Sequence, residues 1–186
     1  MSNEYKDWEL DEIAWERSVV EKYPFLKRRN IDGSLDTTSR FPMMCLEIPE
    51  GWYRLFFQMC DDIKPHLESA GLLDDFYFIQ VKEKFNHLRC YTCTKVPIQV
   101  KEILAKYEYL SRFVCTICGA PATHETIDYI ASVCECCLHN VLKDKAADVI
   151  SFEPYLVINS KIEGVHFDEK KISLKKEWKR YLAGLA

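Results

Sequence analysis

Two pairs of cysteines constrain this chain more than any other feature. Cys115 and Cys118 stand two residues apart, as do Cys134 and Cys137, and fifteen residues separate the pairs. A Cys-x-x-Cys turn aims both sulfurs at one point. Two such turns supply a tetrahedron that suits Zn²⁺ and leaves no open position. Gly119 follows the first pair and permits the positive φ that such turns often need. Thr126 to Ser132 reads as a hairpin arm between the turns. Residues 113–142 are therefore expected to form a zinc-ribbon or knuckle-like module, held folded by a structural ion. The spacing leaves alternatives open: Cys136 and His139 have the same gap, and Cys90 with Cys93 offers another pair for Cys115 and Cys118. Cys93, Cys136 and His139 are thus further candidate ligands.

The nine cysteines of the 186 residues favour the same reading. Met1 to Glu16 is acidic and polar, unlike the basic start and apolar run of a signal peptide. No stretch approaches the roughly 20 apolar residues that span a bilayer. A cytoplasmic chain without membrane segments is expected, with thiols reduced and available to metal. A net charge of −4 argues against coating nucleic acid with the whole surface.

The remaining sequence alternates helical and extended patterns. Ile13, Trp15, Val19 and Val20 predict a helix over 7–22, ended by Pro24. Residues 27–42 carry turn signals and few apolar side chains, which reads as a long surface connection, functional or mobile. Leu55, Phe56, Met59, Cys60, Ile63 and Leu67 predict a helix over 52–69 that stops at Gly71, with Pro65 as a threatened kink or break. Two strands follow in 75–93, then a helix over 97–112 begun by Pro97. A strand near 150–159 and a basic amphipathic helix near 172–184 complete the chain. The expected class is α+β: helices packed on a small antiparallel hairpin sheet, beside the zinc module. The expected division is 1–112 for the helical and hairpin core, 113–142 for the zinc module, and 143–186 for a strand and helix packing on the same unit. Cys45, Cys60 and Cys90 read as small buried apolar residues.

A two-residue turn at Asn86-His87 would set Phe85 opposite Leu88, Lys84 opposite Arg89, Glu83 opposite Cys90 and Lys82 opposite Tyr91. One face then carries Val81, Glu83, Phe85, Leu88 and Cys90, and the other Gln80, Lys82, Lys84, Arg89 and Tyr91. The first is a core face, on which Glu83 is a candidate buried carboxylate needing a partner such as a basic side chain or the Trp52 indole. The second is a basic face with an aromatic ring, and Lys82, Lys84, Arg89 and Tyr91 are candidate partner-binding residues.

At these residues the chain resembles a family of small, mostly uncharacterised bacterial and phage proteins. The resemblance runs over about residues 50–138, through Gly51-Trp52, Cys60-Asp61-Asp62-Ile63, Gln80 to Phe85, Leu88-Arg89, Tyr91, Cys115-x-x-Cys118-Gly119-Ala120-Pro121 and Cys134. Members of that family carry Gly-Gly at Asn86-His87, which implies a tight turn. They often carry Cys-x-x-His at Cys134-x-x-Cys137, which implies that this pair, and not Cys136 with His139, binds metal. An aromatic at the position of Cys90 implies packing there. The resemblance implies no catalytic residues, and a phage origin fits an inhibitor, anti-defence or immunity-type role.

Three functions follow for testing. The first is a non-enzymatic, zinc-stabilised protein that binds a protein partner stoichiometrically. The second is nucleic-acid binding through the basic hairpin face. The tail lysines fit better as the wet side of an amphipathic helix. The third is catalysis, which the sequence disfavours. It has no glycine-rich phosphate loop, nucleophile elbow or His-Glu-x-x-His. His124-Glu125 lacks the residue between His and Glu that a zinc deaminase requires.

Overall fold

The computed structural model describes residues 7–93, 96–126, 130–142 and 149–151. In chain order the elements are α1 (Asp7–Lys22), β1 (Leu46–Glu47), α2 (Tyr53–Ser69), β2 (Phe78–Glu83), β3 (Leu88–Thr92), α3 (Ile98–Ser111), β4 (His124–Thr126), β5 (Ser132–Val133), α4 (Glu135–Leu142) and β6 (Val149–Ser151). Short 3₁₀ turns at Pro24–Leu26 and Glu50–Trp52 follow α1 and lead into α2. Four helices with two small sheets make an α+β protein. One sheet has the order β1-β2-β3, the other β5-β4-β6. The expected helix near 172–184 and most of the expected strand 150–159 lie outside the described residues.

The chain forms two compact units. One comprises Met1–Glu47, Gln58–Lys82 and Arg89–Ala105, and the other Ile48–Phe57, Glu83–Leu88 and Lys106–Ala186. In the first, Met59, Cys60, Ile63 and Leu67 of α2 lose all solvent contact. Pro65 lies inside that helix without ending it. Phe25, Phe76 and Phe78 meet edge to face with centroids 5.2–6.0 Å apart, the arrangement aromatic quadrupoles favour. On α1 the buried stripe is Ile13, Glu16, Val19, Val20 and then Tyr23 beyond its end. Trp15, expected in that stripe, is 44% exposed, because it falls one position off the i, i+3 series that Glu16 occupies. Glu16 Oε2 accepts the Met43 N–H at 2.9 Å. Burial raises its pKa, against that hydrogen bond and Arg28.

The connection 27–42 is built, not merely spanned. Bridges pair Lys27 with Met43 and Arg29 with Leu35. Asp32 and Asp36 each accept a backbone N–H and a hydroxyl two residues on, a local substitute for regular pairing. Cys60 is buried as expected, Cys90 is half-buried, and Cys45 is exposed against expectation. Cys45 stands just before β1, next to the buried Met44.

β1 pairs parallel with β2, Leu46 opposite Val81 and Glu47 opposite Lys82. The sheet is therefore mixed, not a bare antiparallel hairpin. The hairpin turn is Phe85-Asn86, one residue earlier than expected. Lys84 N–H bonds to His87 O at 2.9 Å and His87 N–H to Lys84 O at 3.2 Å, and Phe85 and Asn86 have φ of 53° and 58°. This is the type I′ geometry that the right-handed strand twist favours, and Asn is one of the few residues that adopts it readily. Counting outward sets Glu83 opposite Leu88 and Lys82 opposite Arg89. The shift preserves each strand's faces but removes Phe85 from the core face, and its ring is 68% exposed. Towards the start of β2 the alternation slips: Phe78 and Val81 are both buried and Ile79 is exposed.

Candidate metal centre

The candidate metal centre is assembled in the second unit from two unlike pieces of backbone. The first is a knuckle. Cys115 N–H bonds to Ala120 O at 2.7 Å and Gly119 N–H to Cys115 O at 3.0 Å, while Val114 bridges Pro121. Gly119 sits at φ +77°, a region costly for residues with a Cβ. The knuckle rests on Gly51, whose N–H bonds to Thr116 O at 3.1 Å. A Cβ on Gly51 would lie 2.2 Å from the Cys115 carbonyl oxygen, closer than any real contact. Next to it the fully buried Trp52 donates its indole N–H to Val114 O at 3.1 Å. Gly51-Trp52 is therefore the platform of the knuckle.

The second piece is a helix start. Cys134 precedes α4, and its Sγ accepts the Cys137 N–H at 3.4 Å, while Leu138 N–H bonds to Cys134 O at 2.9 Å. Cys134 thus caps the helix with sulfur, in the place usually taken by a side-chain oxygen. This corrects the expectation of a second free turn. The overlooked signal was Glu135 in the first turn with Leu138, Val141 and Leu142 at helical spacing. Between the pieces β4 pairs antiparallel with β5, His124 opposite Val133; these strands meet the expected arm Thr126–Ser132 only at its ends, and residues 127–129 of it lie outside the described residues. The strand after α4, β6, joins the other edge of β4.

The sulfurs of Cys115, Cys118, Cys134 and Cys137 all lie within 4.8 Å of one another. Cys118 Sγ and Cys134 Sγ are 3.6 Å apart, against the roughly 3.8 Å spanned by two thiolates bound tetrahedrally at about 2.3 Å. Cys115, Cys134 and Cys137 are buried with Val133 and Leu138, against Ala120. Four convergent thiols can hold one metal ion, and they fit a soft or borderline cation. Their acid–base properties agree. Burial pushes Cys115 up, but N–H groups of Cys118, Cys134 and Ile117 outweigh it and bring the thiol below its usual range. Burial pushes Cys118 up, helped by the Cys134 and Cys115 thiols and opposed by the Ala120 N–H and the Cys137 thiol; Cys137 is pushed up by burial first and then by the Cys118 and Cys134 thiols. Like charges this close cannot all form unless a cation replaces the protons.

Among the described residues this is the one cluster of metal-ligand side chains. Cys136 and His139 are exposed, on the turns of α4 that leave the cluster. Cys93 Sγ lies 3.8 Å from Asp75 O. The alternative pairing of Cys115 and Cys118 with Cys90 and Cys93 gives way to Cys134 and Cys137.

Glu83, expected as a buried carboxylate, is only half-buried, and its partner is not the Trp52 indole: its Oε1 accepts the Asn86 N–H at 2.6 Å, closing the hairpin turn. Asn86 itself is the residue the sequence hid. Its side chain is almost fully buried. It donates to Ser132 Oγ at 2.7 Å and Glu125 Oε2 at 2.9 Å, and its Oδ1 accepts the Ser132 N–H at 3.1 Å. The hairpin tip is thereby clamped to β4 and β5. Of the basic face, Lys82 Nζ lies 5.4 Å from the Tyr91 ring centroid, and Lys84 Nζ lies 5.6 Å from that of Phe85. Arg89 is half-buried.

No helix among the described residues is long and apolar enough to cross a membrane. Compared with family models, curated proteins and solved structures, the chain matches none.

Proposed function

We propose that this chain is a zinc-stabilised binding protein that acts by stoichiometric contact with a protein partner and carries out no chemistry at its metal. The observation that carries the reading is the closure of the cluster. Four sulfurs within 4.8 Å, three of them on buried residues, leave a tetrahedral ion no position for substrate or water. Zinc is the ion of choice for four thiolates with no redox demand. The knuckle then serves as scaffold, and the side chains around it serve as surface: Phe85, Ile117 and Ile130 are all more than 40% exposed. An inhibitor or immunity-type role, acting by occupation, suits such a surface.

Gentle purification of the tagged protein from its host tests the reading. A single protein at fixed stoichiometry, retained at high salt, supports it. Nucleic acid that dissociates at moderate salt would replace it with the second reading, which the pairing of Lys82 across from Arg89 beside Tyr91 favours. Lys82→Glu with Arg89→Glu separates the two: it abolishes nucleic-acid binding if that face is the site.

A further inference from the structure

Beside the knuckle the second unit has an open cavity of about 370 Å³. Its apolar lining is Pro49, Ile117, Ile130 and Ala131, and its two charged residues are Glu50 and Glu83. Ile117 belongs to the Cys115-x-x-Cys118 turn itself, so the metal knuckle forms one wall. The cavity thus joins apolar walls to negative charge. Four thiolates around one divalent ion would leave an excess of two further negative charges close behind Ile117. Among the described residues the lining includes no Lys or Arg.

We propose that this groove receives a basic side chain, arginine or lysine, presented between apolar neighbours on the partner protein. The proposal rests on the protein-binding reading above and adds the chemistry of the partner. Arginine and lysine join an apolar stem to a cationic head. The stem fits Ile117, Ile130 and Pro49, and the head fits the carboxylates. The volume lies within the range of small-ligand clefts and accommodates one long side chain with part of a neighbour. A phosphate backbone would meet repulsion here, so the groove and the basic hairpin face select opposite partners.

The full chain, loaded with zinc and labelled at isoleucine methyls, is titrated with acetyl-Leu-Arg-Leu-amide and, separately, acetyl-Leu-Glu-Leu-amide. The arginine peptide should move the Ile117 and Ile130 methyl resonances and the glutamate peptide should not. Glu50→Gln should weaken the arginine peptide about fivefold, the scale of one exposed charge pair. Glu50 is exposed, so its replacement spares the fold; Glu83 is left intact because it closes the turn at Asn86. Equal shifts from both peptides overturn the proposal. So does stillness at Ile117 and Ile130 at millimolar peptide, or an unchanged affinity in Glu50→Gln. A purified protein partner that binds wild type and Glu50→Gln equally removes the groove but leaves the protein-binding reading standing. Purification with no protein partner removes that reading itself.

Discussion

Both units of this protein bury apolar side chains, but they differ in the polar groups buried among them. The first has Phe25, Phe76 and Phe78 in mutual edge contact, and Met59, Cys60, Ile63 and Leu67 of α2 without solvent contact. Each such side chain contributes about 1.5–3 kcal/mol by leaving water. The second buries Trp52, Leu55, Phe56, Leu88, Phe113 and Val114, and around its knuckle a cluster of Val133 and Leu138 with three cysteines of the candidate metal centre. Among the described residues, the buried polar residues Asn86, Ser111, Thr126 and Ser132 belong to the second unit and Glu16 to the first. Beside the knuckle the hydrogen bonds of the buried Asn86 amide and, on the reading proposed above, bonds from metal to sulfur add to that apolar core. The contrast assigns a cause to each unit's stability, and each assignment can be broken separately.

Metal loss should have the largest effect. Structural zinc in small modules is worth on the order of 10 kcal/mol. Cys118 is exposed, so Cys118→Ser removes a ligand with little loss of packing. Metal affinity should fall at least about hundredfold, since loss of even an outer-shell partner costs 10–100-fold. Amide exchange should accelerate at Val114, Thr123 and Val133 while Ile63 and Leu67 keep their protection. Acceleration everywhere alike would mean that the two units do not differ in the way described.

Phe76→Ala reverses the pattern. It should cost about 3–5 kcal/mol by denaturant titration, with one metal still bound per folded chain. Gly51→Ala comes next. A Cβ driven against the Cys115 carbonyl forces the knuckle off its platform, for about 1–3 kcal/mol and a measurably weaker metal affinity in competition with a chelator. Unchanged stability in that variant would show that Gly51 is no platform. Asn86→Ala strands the partners of a buried amide and should cost about 1–3 kcal/mol, read as faster exchange at Ser132 N–H.

The smallest effect is a matter of pH. Burial works against the Asp61 carboxylate, but Lys22 at 2.8 Å and Tyr23 Oη at 2.7 Å hold its pKa below the ordinary range. A folded pKa below the unfolded value stabilises the fold above about pH 4. That contribution disappears as pH falls through the folded pKa. Asp61→Asn should flatten this acid-side loss in thermal melts below pH 4 and leave metal content alone. A melt profile of unchanged slope would count against the pair.

Much of this was legible in the sequence. The α2 pattern from Leu55 to Leu67 gave its buried face residue by residue, because 3.6-residue periodicity is a local property. The four convergent cysteines were legible for the same reason: a gap of two residues determines where a sulfur can point. The turn was misplaced by one residue because Phe85 reads as strand by its side chain, whereas its backbone is committed to positive φ by the clamp on Asn86. That clamp joins residues 46 positions apart, and no local pattern announces such a bond. β1 escaped notice because two residues, Leu46 and Glu47, carry too little pattern. The start of α4 was masked by its own cysteines, which read as metal ligands before they read as helix.

The central claim is that Cys115, Cys118, Cys134 and Cys137 hold one structural zinc ion, and native mass spectrometry of the full chain tests it most directly. The account predicts a mass excess of one zinc per chain in the wild type and its loss in Cys118→Ser. A chain free of metal but lighter by the hydrogens of two disulfides, or Cys118→Ser with full zinc, would contradict it.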